Sequence, residues 1–188
     1  MSDAQPTGRN DVTAALVEAA TTLFTSQAPG DVTIRSIAAA AGVNHGLVHR
    51  HIGTKLDLAR LVVDAASARV KASIVPSADP VDVVMQIIAG AMSEPVFSRV
   101  LSWSVLEGLD QGGLRTSSGI VTEAAAILQR AGVPEPRTVT ADLAVRTLGW
   151  STYEDYLFAS GLLGEDVEAA RRRHLDLIER DLRRLLSA

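Results

Sequence analysis

Apolar residues recur every three or four positions along most of the chain, which is the period of an amphipathic helix. Near the N-terminus this spacing predicts one helix, which is capped by Asn10 or Asp11 and ends before Pro29. Its apolar stripe consists of Val12, Leu16, Ala19, Leu23 and Phe24. Alternating runs of β-branched residues, which favour strands, are absent. The pattern therefore predicts an all-helical protein.

Three further helices are predicted from the residues at their ends. Thr33 and Asn44 stand at the N-cap positions of two short helices. Gly42 and Gly53 mark the ends of those two helices. Residues 54–57, Thr-Lys-Leu-Asp, form a variant of the capping box and open a fourth, longer helix.

Residues 73–80 predict a boundary between two domains, because Asp79 and Pro80 form an N-cap followed by a proline in a first helical turn. We therefore predict an N-terminal domain over residues 1–72 and a C-terminal domain over residues 73–188. Five helices are predicted in the second domain: 81–92, 95–109, 118–130, 138–161 and 166–186. The predicted irregular segments are an N-terminal arm over residues 1–9, the Gly112-Gly113 loop and the Pro134-Glu135-Pro136 loop.

The composition agrees with a helical protein in a reducing compartment. Of the 188 residues 47% are hydrophobic but only 4% aromatic, which favours helices over sheets. Cysteine is absent, so disulfide bonds and cysteine-based zinc sites are excluded. The polar N-terminus has no apolar leader region, and no stretch approaches the ~18 apolar residues of a membrane span. We therefore predict a cytoplasmic protein that makes no contact with a membrane.

Charge is divided unevenly along the chain, although the net charge of −4 by itself argues against a nucleic-acid partner. Residues 1–71 contain seven basic and six acidic residues, whereas the remaining 117 residues contain 11 basic and 16 acidic ones. Within residues 44–60 three basic residues oppose one acidic residue, and three of the four histidines lie there too. We therefore expect any polyanion to bind this segment.

The two short helices have the residues that a helix-turn-helix needs. Such a unit requires a close helix crossing and a tight turn, which Ala38 and Gly42 permit. Its underside is predicted to be filled by Val43, Val48 and Ile52. The outer face of the second short helix then carries His45, Gly46, His49 and Arg50. This arrangement predicts a helix that lies in the major groove of DNA.

Residues 33–58 resemble the DNA-binding domain of the tetracycline-repressor (TetR) family of bacterial regulators. The matching positions are Thr33, Ile34, Ile37, Ala38, Ala41, Gly42, Val43, Asn44, Gly46, Val48, His51, Thr54, Lys55 and Leu58. His49 and Ile52 depart from the pattern, since the family usually has a phosphate-binding tyrosine and a phenylalanine there. The resemblance covers about the first 65 residues. It implies a three-helix DNA-binding domain that a fourth helix joins to a larger helical domain for ligand binding and dimerisation.

The resemblance also implies how the first domain contacts double-stranded DNA. The residues expected at phosphates are Thr33, His51 and Lys55. Those expected near base edges are Arg35, His45, Gly46 and Leu47. Asn44, His49 and Arg50 complete the predicted set of DNA-contacting residues.

The resemblance assigns two tasks to the second domain. The last two predicted helices, 138–161 and 166–186, are expected to form half of a four-helix bundle in a two-fold homodimer that reads a palindromic operator. Candidates for a largely apolar effector pocket are Met85, Met92, Phe97, Trp103, Trp150, Tyr153 and Phe158. Binding of a small molecule is then expected to shift the fourth helix and release a repressor from its DNA.

Three alternatives stay open. The second domain could serve only for dimerisation or bind a protein partner. His45 and His49 have the spacing of two metal ligands, but no third ligand is nearby. A helical enzyme is more distant, because the sequence has no Gly-rich phosphate loop and no G-x-S-x-G motif, and His174 is flanked by arginines. We therefore predict a regulator that is not an enzyme and needs no cofactor.

Overall fold

The computed structural model describes residues 8–109, 119–164 and 166–187. Over these ranges the chain forms nine α-helices and no β-strand, which confirms the predicted all-helical fold. The helices are α1 (Arg9–Ser26), α2 (Ile34–Ala40), α3 (His45–His51), α4 (Lys55–Ser73), α5 (Pro80–Met92), α6 (Pro95–Leu106), α7 (Gly119–Arg130), α8 (Pro136–Ala159) and α9 (Val167–Leu186). Most of the predicted N-terminal arm, the Gly112-Gly113 loop and Ser118 lie outside the described residues.

The predicted caps of the two short helices are confirmed. The Thr33 hydroxyl accepts a hydrogen bond from the Ser36 N–H at 3.0 Å, and the Ser36 hydroxyl accepts one from the Thr33 N–H at 3.1 Å. At α3 the Asn44 side chain accepts a hydrogen bond from the Gly46 N–H at 2.8 Å. Both helices are therefore stabilised at their N-termini by local contacts that the sequence dictates.

The capping box before α4 and the cap of α5 are confirmed as well. The Thr54 N–H donates to an Asp57 carboxylate oxygen at 3.0 Å, and the Asp57 N–H donates to the Thr54 hydroxyl at 3.1 Å. At α5 the Asp79 carboxylate accepts a hydrogen bond from the Val81 N–H at 2.8 Å. These hydrogen bonds satisfy N–H groups that have no partner inside a helix.

Several helix ends differ from the prediction by one to three residues. α1 begins at Arg9, ahead of both residues predicted to cap it. α6 ends at Leu106 and not at residue 109, because Gly108 adopts a left-handed conformation with a φ of 62° that ends the helix. Pro136, predicted to lie in a loop, is the first residue of α8. Proline is suited to this position because an N–H group there would have no acceptor within the helix.

The chain packs as two compact units. Of the described residues, the first unit contains those up to residue 66 together with 99–109, and the second contains the others. Helices α4 and α6 each contribute residues to both units. This division concerns packing, so the functional boundary after residue 72 stays a prediction.

Each unit has an apolar core of its own. Buried residues of the first unit include Leu16, Phe24, Val32, Ile37, Val48, Leu58 and Val62. Buried residues of the second unit include Val70, Val81, Val84, Ile88, Leu128, Leu143, Ile178 and Leu182. No single helix in the described ranges is long and apolar enough to cross a membrane. Among the described residues, only α5 and α6 taken together, as a bent pair, reach the necessary length and hydropathy.

Candidate nucleic-acid interface

The turn between α2 and α3 is built around Gly42 and Val43. Gly42 has a φ of 65°, which residues with a side chain rarely adopt. The Val43 N–H donates to the Ala38 carbonyl at 3.0 Å. Ala38 and Val48 are buried, so one side of each short helix faces the core of the first unit. The opposite side of α3 faces solvent.

The solvent side of α3 carries two histidines one helical turn apart. The rings of His45 and His49 meet edge to face, with centroids 5.4 Å apart. Among the predicted DNA contacts, the exposed residues are Thr33, Arg35, Asn44, His45, Gly46, His49 and Arg50, and the half-buried ones are Leu47, His51 and Lys55. Within the described ranges no three His, Cys, Asp or Glu side chains form a group that could hold a metal ion. The two histidines therefore lack a third ligand there.

Gly46 has a structural role that the sequence did not reveal. A Cβ atom at this position would lie 3.3 Å from the Asn44 side-chain oxygen, which is the atom that caps α3. A side chain at position 46 would therefore press on the cap, in addition to filling space on the exposed face of the helix. The absence of a side chain serves the local fold whether or not DNA approaches here.

Lys55, predicted to contact a phosphate, makes contacts within the protein. Its Nζ donates to the Gly30 carbonyl at 3.0 Å and lies 4.7 Å from the centroid of the Trp103 ring. Desolvation lowers the pKa of Lys55, and the charges of Asp31 and Glu107 oppose this by raising it. The ammonium is therefore half-buried and already has partners.

Two residues of α6 contact the end of α1, and neither contact was predicted. The Arg99 guanidinium donates to the carbonyls of Phe24 and Gln27 at 2.9 and 3.1 Å. One turn later the Trp103 ring stacks on Phe24, with centroids 6.3 Å apart and planes inclined by 27°. No sequence signal pairs these residues, because more than 70 positions separate the partners in each contact.

The residues predicted to line an effector pocket are not all brought together. Met92 and Phe97 are buried, Met85 and Trp150 are half-buried, and Tyr153 and Phe158 are exposed. Trp103 belongs to the first unit, whereas the other predicted residues belong to the second. The effector pocket stays a prediction.

Trp150 takes part in a polar cluster between α8 and α9. Its ring stacks on His174 at a centroid distance of 4.3 Å, and its indole N–H donates to Glu154 at 2.7 Å. Arg171 donates to both oxygens of Glu154, at 3.0 and 2.6 Å. Desolvation lowers the pKa of His174, the charge of Arg146 lowers it further, and a hydrogen bond to the Arg146 backbone partly opposes this. His174 is half-buried and therefore favours the neutral form.

Several apolar side chains are exposed on α8, on α9 and in the connection between them. They include Val145, Tyr153, Tyr156, Leu162, Leu177 and Leu185, and they lie among exposed charged residues such as Arg172, Asp176 and Arg180. A groove of about 590 Å³ lies between the two helices. Its lining combines apolar side chains with charged ones: Val139, Leu143, Ile178, Leu182, Asp142, Arg146, Asp181 and Arg184. Apolar side chains in such number on one helix pair are typical of an interaction surface.

Part of the first unit is similar to known regulatory proteins. Residues 16–62 match the family described as "Bacterial regulatory proteins, tetR family". The HTH-type transcriptional repressor Rv3405c of Mycobacterium tuberculosis is 38% identical over 110 residues, which are 58% of this chain and 55% of the repressor. The match therefore spans about half the length of that relative.

Two solved structures share the fold over nearly the whole chain. The transcriptional regulator SCO7222, a TetR from Streptomyces coelicolor, has a TM-score of 0.70 at 22% identity and covers 92% of this chain and 96% of its own. A single-residue variant of TetR from Acinetobacter baumannii, in complex with minocycline, has a TM-score of 0.65 at 16% identity and covers 93% and 98%. Because both identities are low, these two similarities concern the fold alone. Over residues 16–62, the chain is similar to the tetR family of bacterial regulatory proteins.

Proposed function

We propose that this protein is a sequence-specific DNA-binding regulator of transcription, and that it acts as a repressor. The observation that carries the proposal is the orientation of α3, which buries Val48 and exposes His45, His49 and Arg50. A short helix braced in this way by a preceding helix fits the major groove. The repressor that matches over 110 residues supports the same function.

The predicted contact residues suggest two different roles on DNA. Thr33 and His51 are proposed to contact phosphates and so to set the position of the domain on the duplex. Arg35 and His45 are exposed and are proposed to contact base edges. His49 is proposed to donate to a phosphate in place of the tyrosine that the family usually has.

Dimerisation through α8 and α9 is supported by the apolar side chains that are exposed on them. Tyr156 and Leu162 are 68% and 74% exposed in the single chain, and a second copy that covered them would bury apolar surface, which favours association. A second copy placed by two-fold symmetry would cover both and would give two α3 helices for a palindromic operator. We propose that this homodimer acts in the cytoplasm, where bacterial DNA lies.

We further propose that binding of a small molecule releases the repressor from its DNA. A regulator of the same fold forms a complex with minocycline, which supports a ligand-binding role for the second unit. The buried Met92 and Phe97 would suit a largely apolar ligand. A second unit that only dimerises or binds a protein is the other candidate, and its apolar α8–α9 surface supports that function equally well.

Selection from a library of random duplexes tests the central proposal. The full-length protein should enrich a palindromic sequence, because a two-fold dimer presents the same residues to both half-sites. Affinity for the enriched duplex should exceed that for random DNA by at least about 10³-fold. Failure to enrich any sequence, with equal affinity for all duplexes, would contradict sequence-specific binding.

A further inference from the structure

Lys55 opens α4 and has two partners from distant parts of the first unit. Gly30, whose carbonyl accepts the hydrogen bond at 3.0 Å, lies in the turn between α1 and α2. Trp103, whose ring centroid lies 4.7 Å from Nζ, belongs to α6. The ammonium therefore joins three elements of this unit and does not extend freely into solvent.

The surroundings of Lys55 favour this inward position. Asp31 and Glu107 are close enough that their negative charges stabilise the ammonium. The aromatic face adds a cation–π attraction, and such contacts change an equilibrium by about two- to thirtyfold. A phosphate that approaches the domain has to compete with the ring, the carbonyl and both carboxylates for one positive charge.

We propose that Lys55 has two alternative positions: Trp103 and Gly30 hold it in the free protein, and a backbone phosphate takes it over when DNA binds. This inference rests on the proposed DNA-binding function. Trp103 is then a positioning residue, because it stabilises the free state and so reduces the affinity of the domain for DNA. The effect is the same for every base sequence, since phosphates carry no sequence information.

The first test measures binding of the full-length protein to a labelled random-sequence duplex at low salt by fluorescence anisotropy. Trp103→Leu keeps an apolar side chain beside Phe24 but removes the aromatic face, so we expect about two- to thirtyfold tighter binding. Trp103→Phe keeps a smaller ring and should fall between Trp103→Leu and the unchanged protein. In a Lys55→Gln background, Trp103→Leu should leave the affinity unchanged.

Two results would overturn the proposal. Trp103→Leu would weaken binding if the ring served only to pack on Phe24. If Trp103→Leu changed the affinity for DNA by the same factor with and without Lys55, the ring would not act through the lysine.

The second test observes the Trp103 ring directly. The chain has two tryptophans, Trp103 and Trp150, so labelling with 5-fluorotryptophan gives two ¹⁹F signals, which Trp103→Phe assigns. A saturating amount of the random duplex should shift the Trp103 signal, and Lys55→Gln should abolish the shift. Duplex that binds without shifting this signal overturns this inference alone. Duplex that does not bind at low salt refutes the proposed function, and the inference with it.

Discussion

Arg99 provides a quantitative test of how α6 stabilises the first unit. Its guanidinium donates to two carbonyls at the C-terminal end of α1, where helix carbonyls lack partners of their own. A hydrogen bond to a charged group contributes roughly 1.5–3 kcal/mol. The bond to Phe24 is part-buried and the bond to Gln27 is exposed, so water replaces much of the second. We therefore expect Arg99→Met, which keeps an apolar stem, to lower the free energy of unfolding by about 1–2 kcal/mol.

Urea unfolding and amide hydrogen exchange measure this effect. Arg130→Met is the matched control, because it removes the same charge from an exposed position in the last turn of α7. The control should change stability by no more than about 0.5 kcal/mol. In Arg99→Met, faster exchange should be concentrated in the last turn of α1. Equal destabilisation by both changes, or unchanged exchange in α1, would refute this account of Arg99.

Three further predictions concern DNA binding, pH and assembly. Lys55→Ala should lower the slope of log affinity against log salt by about one unit on all DNA. Arg35→Ala should instead cost about 1–3 kcal/mol of binding free energy on the selected operator and much less on random DNA. Anisotropy titrations that gave the reverse would contradict the assigned roles. Burial lowers the pKa of His174 from 6.5, so the unfolded chain binds this proton at a higher pH than the folded one, and stability should fall as the pH drops below about 6.5. Unfolding curves across pH should lose that contribution in His174→Gln, and an unchanged pH profile would argue against it. Tyr156→Glu should shift the protein towards monomers in analytical ultracentrifugation. Val75→Glu, at a similarly exposed apolar position outside α8 and α9, should not. A dimer that tolerates Tyr156→Glu would exclude the α8–α9 surface as the dimer interface.

Local structure in the first unit was predictable because short-range contacts decide it. Thr33 and Asn44 cap their helices through hydrogen bonds to residues two or three positions away. Gly42 makes the turn by its own backbone freedom. The exposed face of α3 follows from the helical period once Val48 is buried. Such contacts depend on neighbouring residues alone, so the sequence pattern is enough to predict them.

The second unit was less predictable because its large side chains carry no signal for what they contact. Met92 and Tyr153 both suited an apolar pocket by residue type, yet one is buried and the other is 59% exposed. Trp103 was assigned to the same pocket but packs in the first unit. Hydrophobicity predicts that a side chain prefers to be covered, and only the fold decides which surface covers it.

The sequence by itself determined that the described part of this chain is helical, and where α2 and α3 begin. It also determined that residues 33–58 form a helix-turn-helix with an exposed polar face. It did so because helical period, caps and turns act over a few residues. Only the tertiary structure decided that Arg99 completes the end of α1, from 75 residues away, and that Lys55 lies on Trp103. Those partners meet because several helices pack around one core, and each hydrogen bond or ring contact depends on the positions of all of them.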